Sequence, residues 1–201
     1  PYHAGRDTRR SLSGTESVVV LLGAHISAAG GLHKAYERAD AIGCESMQIF
    51  TRNQRQWLNK PLSFREIEDF YRASKESSVR KVVSHASYLI NLAGNSEIRE
   101  KSEDALISEL DRCRHLSIND VVLHPGFALG MPEDAALKQV AGSLLRVLEA
   151  TSESKVRILL ETMAGQGSVL GGDIAEFSAM LDLVEDHPRI GFCVDICHVF
   201  A

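Results

Sequence analysis

The feature that most constrains the fold of this chain is a strict alternation of short apolar segments with segments of helical period. The apolar segments predict six strands, at residues 18–26, 46–51, 81–85, 120–126, 156–162 and 190–200. Between them, apolar residues recur every three or four positions, which predicts five amphipathic helices. Strands that alternate with helices form a parallel sheet with right-handed crossovers, so the sequence predicts an α/β fold.

Local signals mark several element boundaries. Ser63 and Glu66 form a capping-box pattern. Gly43 suits the end of the first helix, and Pro132 suits the first helical position of the fourth. The continuous apolar run of the first strand predicts burial on both faces. The last segment is expected to run on as a strand and a tail to residue 200.

Two architectures fit this alternation, an open doubly wound sheet and a (β/α)₈ TIM barrel. No G-x-G-x-x-G follows the first strand, which disfavours the dinucleotide-binding form of the open sheet. A complete barrel needs eight strand–helix units and about 250 residues. With 201 residues, of which 44% are hydrophobic, the chain would supply about six strands and five helices of a barrel that is incomplete at the C-terminus.

Composition limits the class and the compartment. Residues 1–17 lack an apolar period and are expected to be a flexible leader, with one barrel domain over residues 18–201. No apolar run is long enough to span a bilayer, so we expect no membrane partner. Four cysteines are too few for a disulfide scaffold and favour an intracellular compartment. The net charge of −5 argues against a simple basic DNA-coating protein.

Residues of the metal-ligand type stand at the ends of most predicted strands. They are His25, His85, His124, Glu161, Asp195 and His198. In a barrel these ends converge on the face that carries active sites. A lone histidine there is more often structural, but the joint pattern of imidazoles and carboxylates predicts a divalent metal site, with zinc first.

Two cysteines offer a rival set of ligands. Cys193 and Cys197 flank Asp195, and on a strand all three side chains would share one face. We expect buried, unliganded thiols instead, because no second cysteine pair accompanies them to complete a thiolate zinc site.

Two loops have the composition of DNA contacts. Residues 51–57, TRNQRQW, contain Arg52, Arg55 and the single tryptophan, and residues 85–92 place Tyr88 and Leu89 after His85. Arginine beside exposed aromatic and aliphatic residues can hold a phosphate backbone and wedge into a base stack. For the tryptophan itself, we expect ordinary packing of the loop against the barrel.

The motifs GAHISAAGGL, FTRNQRQW, HASYLINLA, LHPG, LETMAGQG and DICHVFA, in this order, resemble the endonuclease IV family of apurinic/apyrimidinic endonucleases. The resemblance covers roughly residues 20–201. It implies a TIM barrel of the xylose-isomerase-like type. It also implies a DNA base excision repair hydrolase that cleaves 5′ to abasic sites, leaving 3′-hydroxyl and 5′-deoxyribose phosphate ends, and that trims blocked 3′ ends.

The resemblance also implies the roles of individual residues. His85, His124 and Glu161 match the ligands of a first metal, with Glu161 bridging to a second ion and acting as the catalytic residue. Asp195 matches a ligand of the second metal and His198 a ligand of the third. The residues that enter the minor groove at the lesion are matched by Arg55, Tyr88 and Leu89.

Family members hold three zinc ions, with Mn²⁺ as an alternative at one site, and a metal-activated hydroxide attacks the phosphate. The family's remaining ligands are expected beyond residue 201, so we expect fewer ions and little or no cleavage by these 201 residues alone. The implied partner is double-stranded DNA with abasic sites or blocked 3′ ends. The protein is expected to be a monomer in the cytoplasm of a bacterium or in the nucleus or an organelle of a eukaryote.

Two other functions stay open at this stage. A sugar isomerase or epimerase on a similar barrel would need one metal site and a base that transfers protons. A protein that binds metal or DNA without turnover would need only the ligands.

Overall fold

A computed structural model describes residues 20–57 and 59–201. The predicted leader, residues 1–17, lies outside the described residues, as do the first two positions of the first predicted strand. Among the described residues, no helix is both long and apolar enough to cross a membrane.

The described residues form six strands and six helices. The strands are β1 (Gly23–His25), β2 (Ser46–Ile49), β3 (Lys81–His85), β4 (Asp120–Leu123), β5 (Arg157–Glu161) and β6 (Ile190–Cys193). The helices are α1 (Lys34–Ala41), α2 (Phe64–Glu76), α3 (Ser96–His115), α4 (Glu133–Ala150), α5 (Ile174–Leu183) and α6 (Ile196–Val199).

The strand order decides between the two predicted architectures. Each strand pairs in parallel with the next along the chain, giving the order β1-β2-β3-β4-β5-β6. A doubly wound sheet reverses its order at a switch point, and this sheet does not. Right-handed crossovers then place successive helices on the same face, as in a TIM barrel, so the barrel prediction is confirmed.

Several helix ends follow the predicted signals. The Ser63 hydroxyl accepts a hydrogen bond from the Glu66 N–H, and the Glu66 carboxylate accepts one from the Ser63 N–H at 2.8 Å. Gly43 has a φ of +74° just after α1, a conformation that glycine adopts without strain. Pro132 precedes α4 by one residue instead of starting it.

The core lies between the sheet and the helices that cover it. Helix α4 buries its predicted stripe of Leu137, Val140, Leu144 and Val147, and β4 is buried along its whole length. Burying each such side chain contributes about 1.5–3 kcal/mol. This layer holds the strands in register and so determines where their ends lie.

Two predictions about the outer strands are wrong. Gly23–His25 is exposed, not buried on both faces, because within the described sheet β1 pairs only with β2. The strand predicted over residues 190–200 stops at Cys193, and α6 follows it. The Asp195 carboxylate accepts hydrogen bonds from the N–H groups of Cys197 at 2.7 Å and His198 at 3.1 Å, which begins a helical turn.

Candidate metal centre

The five proposed ligands lie together at the C-terminal edge of the sheet. His85 and Glu161 are the last residues of β3 and β5, and His124 directly follows β4. Asp195 and His198 come after β6, at the start and within the single turn of α6. Parallel pairing in register brings these ends to one edge, as the strand pattern predicted.

A first group of donors consists of His85, His124 and Glu161, whose ligand atoms all lie within 4.8 Å of one another. One oxygen, Oε2 of Glu161, lies 2.9 Å from Nε2 of His124 and 3.3 Å from Nε2 of His85. Both His85 and Glu161 are buried. The three side chains therefore converge on one point at the end of the barrel.

The tautomer of His85 bears on what this group can bind. Its Nδ1 lies 2.7 Å from the backbone oxygen of Ala86, which can only accept, so Nδ1 donates that hydrogen bond. In the neutral ring Nε2 then presents a lone pair to the Glu161 carboxylate. Two facing lone pairs repel unless a proton or a cation lies between them, so this arrangement fits a bound cation.

The charge of Glu161 suits the same role. Burial alone would raise the pKa of this carboxyl group, but in the absence of a metal ion hydrogen bonds and charges from protonated His124 and His85 outweigh it and lower the pKa from 4.5 to about 2. The carboxylate is therefore ionised at neutral pH and available to a cation.

A second group consists of Glu161, Asp195 and His198, again with ligand atoms within 4.8 Å of one another. His198 Nδ1 donates to the backbone oxygen of Thr162 at 2.8 Å, which leaves Nε2 free as a lone-pair donor. The Asp195 N–H donates to the Thr162 hydroxyl at 2.8 Å. Since Glu161 belongs to both groups, it occupies the position of a ligand that bridges two ions.

The donor set of both groups fits zinc or another borderline dication. It contains imidazole nitrogens and carboxylate oxygens, and each group offers three protein ligands, the number usual in catalytic sites. Thr162 contacts two of these residues: its backbone oxygen accepts a hydrogen bond from the His198 ring and its hydroxyl accepts one from the backbone N–H of Asp195. The first contact fixes the orientation of the imidazole, as contacts behind metal-binding histidines do. Sequence reasoning missed Thr162, although its position directly after Glu161 was a usable signal.

The cysteines take no part in either group of the described donors. Burial raises the pKa of Cys193 to about 11, with added contributions from Glu161 and Asp195, so its thiol stays protonated. The expected burial is wrong for both thiols: Cys193 is half-buried, and Cys197, which lies on α6 and not on a strand, is exposed. The expected sharing of one strand face fails for the same reason.

His25 lies beside the first group without joining it. Its ring centroid is 6.1 Å from that of His85 and 4.6 Å from that of Phe50. This histidine packs against the ligand His85 instead of converging on Glu161.

One of the predicted DNA contacts, Tyr88, lies beside the first group of donors. The Tyr88 ring centroid lies 5.1 Å from that of His85 and 5.4 Å from that of His124, and 52% of the residue is exposed. Leu89 is half-buried beside it, and Arg55 is exposed. A cleft of about 740 Å³ lies between residues 25–32 and 50–55.

The loop after β2 is more firmly held than its composition indicated. Trp57 packs against the core, as expected. Arg52, grouped with the DNA contacts, is buried and donates to the backbone oxygens of Ala105, Gln56 and Trp57, so its guanidinium does not face DNA.

Comparison with known proteins identifies the fold and the family of this chain. The family model for the xylose isomerase-like TIM barrel matches residues 36–201. A probable endonuclease 4 from Chloroflexus aurantiacus is 44% identical over 180 residues, which cover 89% of this chain and 63% of that protein. This chain belongs to the endonuclease IV family of TIM barrels.

Two further relatives support this membership of the endonuclease IV family. The apurinic-apyrimidinic endonuclease of Caenorhabditis elegans is 39% identical over 195 residues, covering 94% of this chain and 48% of that protein. The crystal structure of endonuclease IV from Thermus thermophilus superposes with a TM-score of 0.76 at 32% identity, covering 89% of this chain and 64% of that one.

Proteins outside the endonuclease IV family also have this barrel fold. An L-ribulose 3-epimerase structure has a TM-score of 0.71 at 15% identity, covering 90% of this chain and 62% of that one, and this likeness concerns the fold alone. The chain spans less than two thirds of the length of the curated relatives it matches.

Proposed function

We propose that this chain acts in DNA base excision repair as a metal-dependent endonuclease. It would cleave the backbone 5′ to an abasic site and leave 3′-hydroxyl and 5′-deoxyribose phosphate ends. One observation carries the proposal: Glu161 lies within 4.8 Å of the ligand atoms of two separate donor groups at one strand edge. A sugar epimerase or isomerase needs one metal, whereas a shared carboxylate suits several ions around a phosphate.

Each ligand has a role in this proposal. His85, His124 and Glu161 hold the first ion, Glu161 and Asp195 contribute to the second, and His198 contributes to the third. Zinc fits the donor set at all positions, with Mn²⁺ as an alternative at one of them. Such ions, when bound, activate water at neutral pH and stabilise the charge that develops on a phosphate.

Protein groups around the ligands hold the substrate and the site in place. Thr162 contacts Asp195 and His198 through its hydroxyl and its backbone oxygen. Arg55 is exposed and carries a positive charge that can pair with a DNA phosphate. In this proposal Tyr88 and Leu89 enter the gap in the base stack, and an abasic nucleotide is easy to extrude because it stacks poorly.

The relatives' names support DNA as the substrate. One relative is named a probable endonuclease 4 and another an apurinic-apyrimidinic endonuclease. The proposal therefore includes double-stranded DNA with abasic sites or blocked 3′ ends as the partner. It also includes a monomeric enzyme in an intracellular compartment.

The test uses the natural full-length protein loaded with zinc. Its substrate is a labelled duplex with one tetrahydrofuran lesion, and an undamaged duplex of the same sequence serves as the control. We expect a nick only 5′ to the lesion, with an end that a DNA polymerase extends directly. An intact lesion duplex with metal-loaded protein would contradict the proposal, and turnover of a ketohexose instead would establish the epimerase alternative.

A further inference from the structure

The loop formed by residues 51–57 is held by contacts from one helix, α3. The guanidinium of Arg112 on α3 donates to the backbone oxygen of Thr51, where the loop starts, and to that of Lys60 at 3.0 Å, beyond its end. Arg52 donates to the backbone oxygen of Ala105 on α3 at 3.1 Å. These contacts fasten both sides of the loop to the same helix.

A buried carboxylate on α3 is central to this attachment. Glu109 is 1% exposed, and its Oε1 accepts hydrogen bonds from the hydroxyls of Thr51 at 2.7 Å and Ser84 at 2.6 Å. Thr51 opens the loop, and Ser84 immediately precedes the ligand His85 on β3. One oxygen atom thus connects the loop to the strand that carries a metal ligand.

Stability alone is a weak reason for a glutamate at this place. A buried carboxylate is costly unless its oxygens are satisfied, and Oε2 of Glu109 has no hydrogen-bond partner among the described residues. An apolar side chain on the same stripe of α3 as Leu106 and Leu110 would avoid that cost. The specific pair of bonds to Thr51 and Ser84 therefore points to a role in placing the loop.

Further bonds extend this placement to the residues that face DNA. Arg52 donates to the backbone oxygen of Trp57 at 2.8 Å, which closes the loop on itself. The Ser87 hydroxyl donates to the backbone oxygen of Gln54 at 2.7 Å. Gln54 precedes Arg55 and Ser87 precedes Tyr88, so this bond joins the two loops that carry the proposed DNA contacts.

We propose that Glu109 is a positioning residue, which sets the loop of residues 51–57 relative to His85 and Tyr88. It touches neither the ligands' donor atoms nor the exposed surface, and it acts through Thr51 and Ser84. The consequence for DNA, that Arg55 meets the same duplex as Tyr88, rests on the proposed function. The placement of the loop by Glu109 does not depend on the proposed function.

The first test replaces one donor and reads the loop without DNA. Thr51→Val removes the hydroxyl that binds Glu109, and Trp57, the single tryptophan of these 201 residues, reports on the loop by fluorescence. We expect a red-shifted Trp57 emission and a larger acrylamide quenching constant, with zinc content unchanged; any tryptophan outside these 201 residues is replaced by phenylalanine in both proteins. A folded Thr51→Val protein with the wild-type emission and quenching would overturn the proposal.

Thr151→Val is the matched control. Like Thr51, Thr151 donates through its hydroxyl, here to the Val147 oxygen at 2.7 Å, and accepts from an arginine, here Arg189 at 3.0 Å. It lies between α4 and β5, at the opposite end of the strands. A general loss of stability would be shared by both variants, whereas a change in Trp57 is expected only in Thr51→Val.

The second test uses the carboxylate itself. Glu109→Ala removes the acceptor and should reproduce the Trp57 change, while Glu109→Gln keeps one oxygen that can accept both bonds and should restore the wild-type signal. Equal defects in Gln and Ala variants that both fold would contradict the acceptor role. If Glu109→Ala does not fold, Thr51→Val still decides the question.

Kinetics on the lesion duplex then test the link to DNA. Since Arg55 would be misplaced while the ligands stay in place, Thr51→Val should raise KM about tenfold and change kcat less. An unchanged KM would refute the link to DNA. Absence of cleavage by the wild type would instead refute the proposed function, and the Trp57 measurements would still stand.

Discussion

Glu161 and His85 are 76 residues apart in the chain, yet Oε2 of Glu161 lies 3.3 Å from Nε2 of His85. The same oxygen lies 2.9 Å from Nε2 of His124. A buried carboxylate between two imidazoles is stable only if a proton or a cation compensates its charge. This relationship is the basis of the proposed metal centre and of the first prediction.

Glu161→Gln should release metal and abolish most cleavage, because the amide has nearly the same shape but no charge to share between two ions. Mutation of a residue that only supports a metal ligand already lowers metal affinity or activity by about 10- to 100-fold. Mutation of a bridging ligand should lower them by at least as much. Metal content per chain and nicking of the tetrahydrofuran duplex are the measurements. Glu149→Gln on the exposed side of α4 is the control. Full metal content and activity in Glu161→Gln would refute its assignment as a ligand.

Tyr88→Ala should weaken binding to an abasic duplex without changing the metal content. The ring is exposed above His85 and His124, and an aromatic group that fills a gap in the base stack contributes about 1–3 kcal/mol. Leu89→Ala should have a smaller effect of the same sign. Affinities by fluorescence anisotropy are compared with Phe64→Ala, which removes an exposed ring on α2. Wild-type affinity in the Tyr88–Leu89 double variant would exclude the wedge role.

Stability should depend on pH through Asp120 at the start of β4. Burial alone would raise the pKa of Asp120, but Arg157 and Lys81 outweigh it and lower the pKa below 3.8. Because folding lowers this pKa, the unfolded chain binds the proton more readily. The ion pairs therefore stabilise the fold at neutral pH, and this contribution is lost as the pH falls below 3.8 through the lowered pKa.

Asp120→Asn should accordingly lower the free energy of unfolding by about 1–3 kcal/mol at pH 7, since both cationic partners stay partly in solvent. The difference from wild type should shrink toward acid pH. Urea unfolding at several pH values measures it, with the exposed Asp104→Asn as control. A difference that stays constant down to strongly acid pH would mean that the ion pairs do not stabilise the fold in this way.

Gly126→Ala should destabilise the loop after β4 more than Gly130→Ala does. Both glycines have positive φ, +119° and +85°, but a Cβ on Gly126 would lie 2.3 Å from Oδ1 of Asn91, whereas nothing lies within 4 Å at Gly130. Asn91 holds this loop by bonds to both backbone groups of Phe127. We expect a cost of about 1 kcal/mol for Gly130→Ala and clearly more for Gly126→Ala.

Thermal unfolding of the two glycine variants is the measurement. Both variants carry the same change at a positive φ, but +119° lies further than +85° from the left-handed region open to L-residues, so their difference combines backbone strain with the contact to Asn91. Equal melting temperatures would show that Asn91 moves aside without cost.

Much of the fold follows from local sequence patterns. The alternation of apolar runs and helical stripes places all six strands, and the Ser63–Glu66 pair marks the start of α2, because these signals depend on neighbours a few residues away. The similar pair at Asp173 and Glu176, which starts α5, went unpredicted although the same rule applies to it. The third strand, predicted over residues 81–85, has those bounds, and the other five are shorter than predicted because the apolar segments extend beyond the ladder of hydrogen bonds.

The candidate site, like the fold, could be predicted from the sequence only in part. The strand pattern predicted that His85, His124 and Glu161 stand at or directly after the ends of successive strands, and parallel strands in order bring such ends together. Three features emerge only from the folded chain: Asp195 caps a helical turn, Cys197 lies on that turn while Cys193 ends β6, and Glu109 on α3 holds Thr51 beside Ser84. A buried hydrogen bond between two side chains forms only when crossovers and packing bring together segments that are far apart in the chain. The residue pattern within one segment does not indicate which distant segment will pack against it.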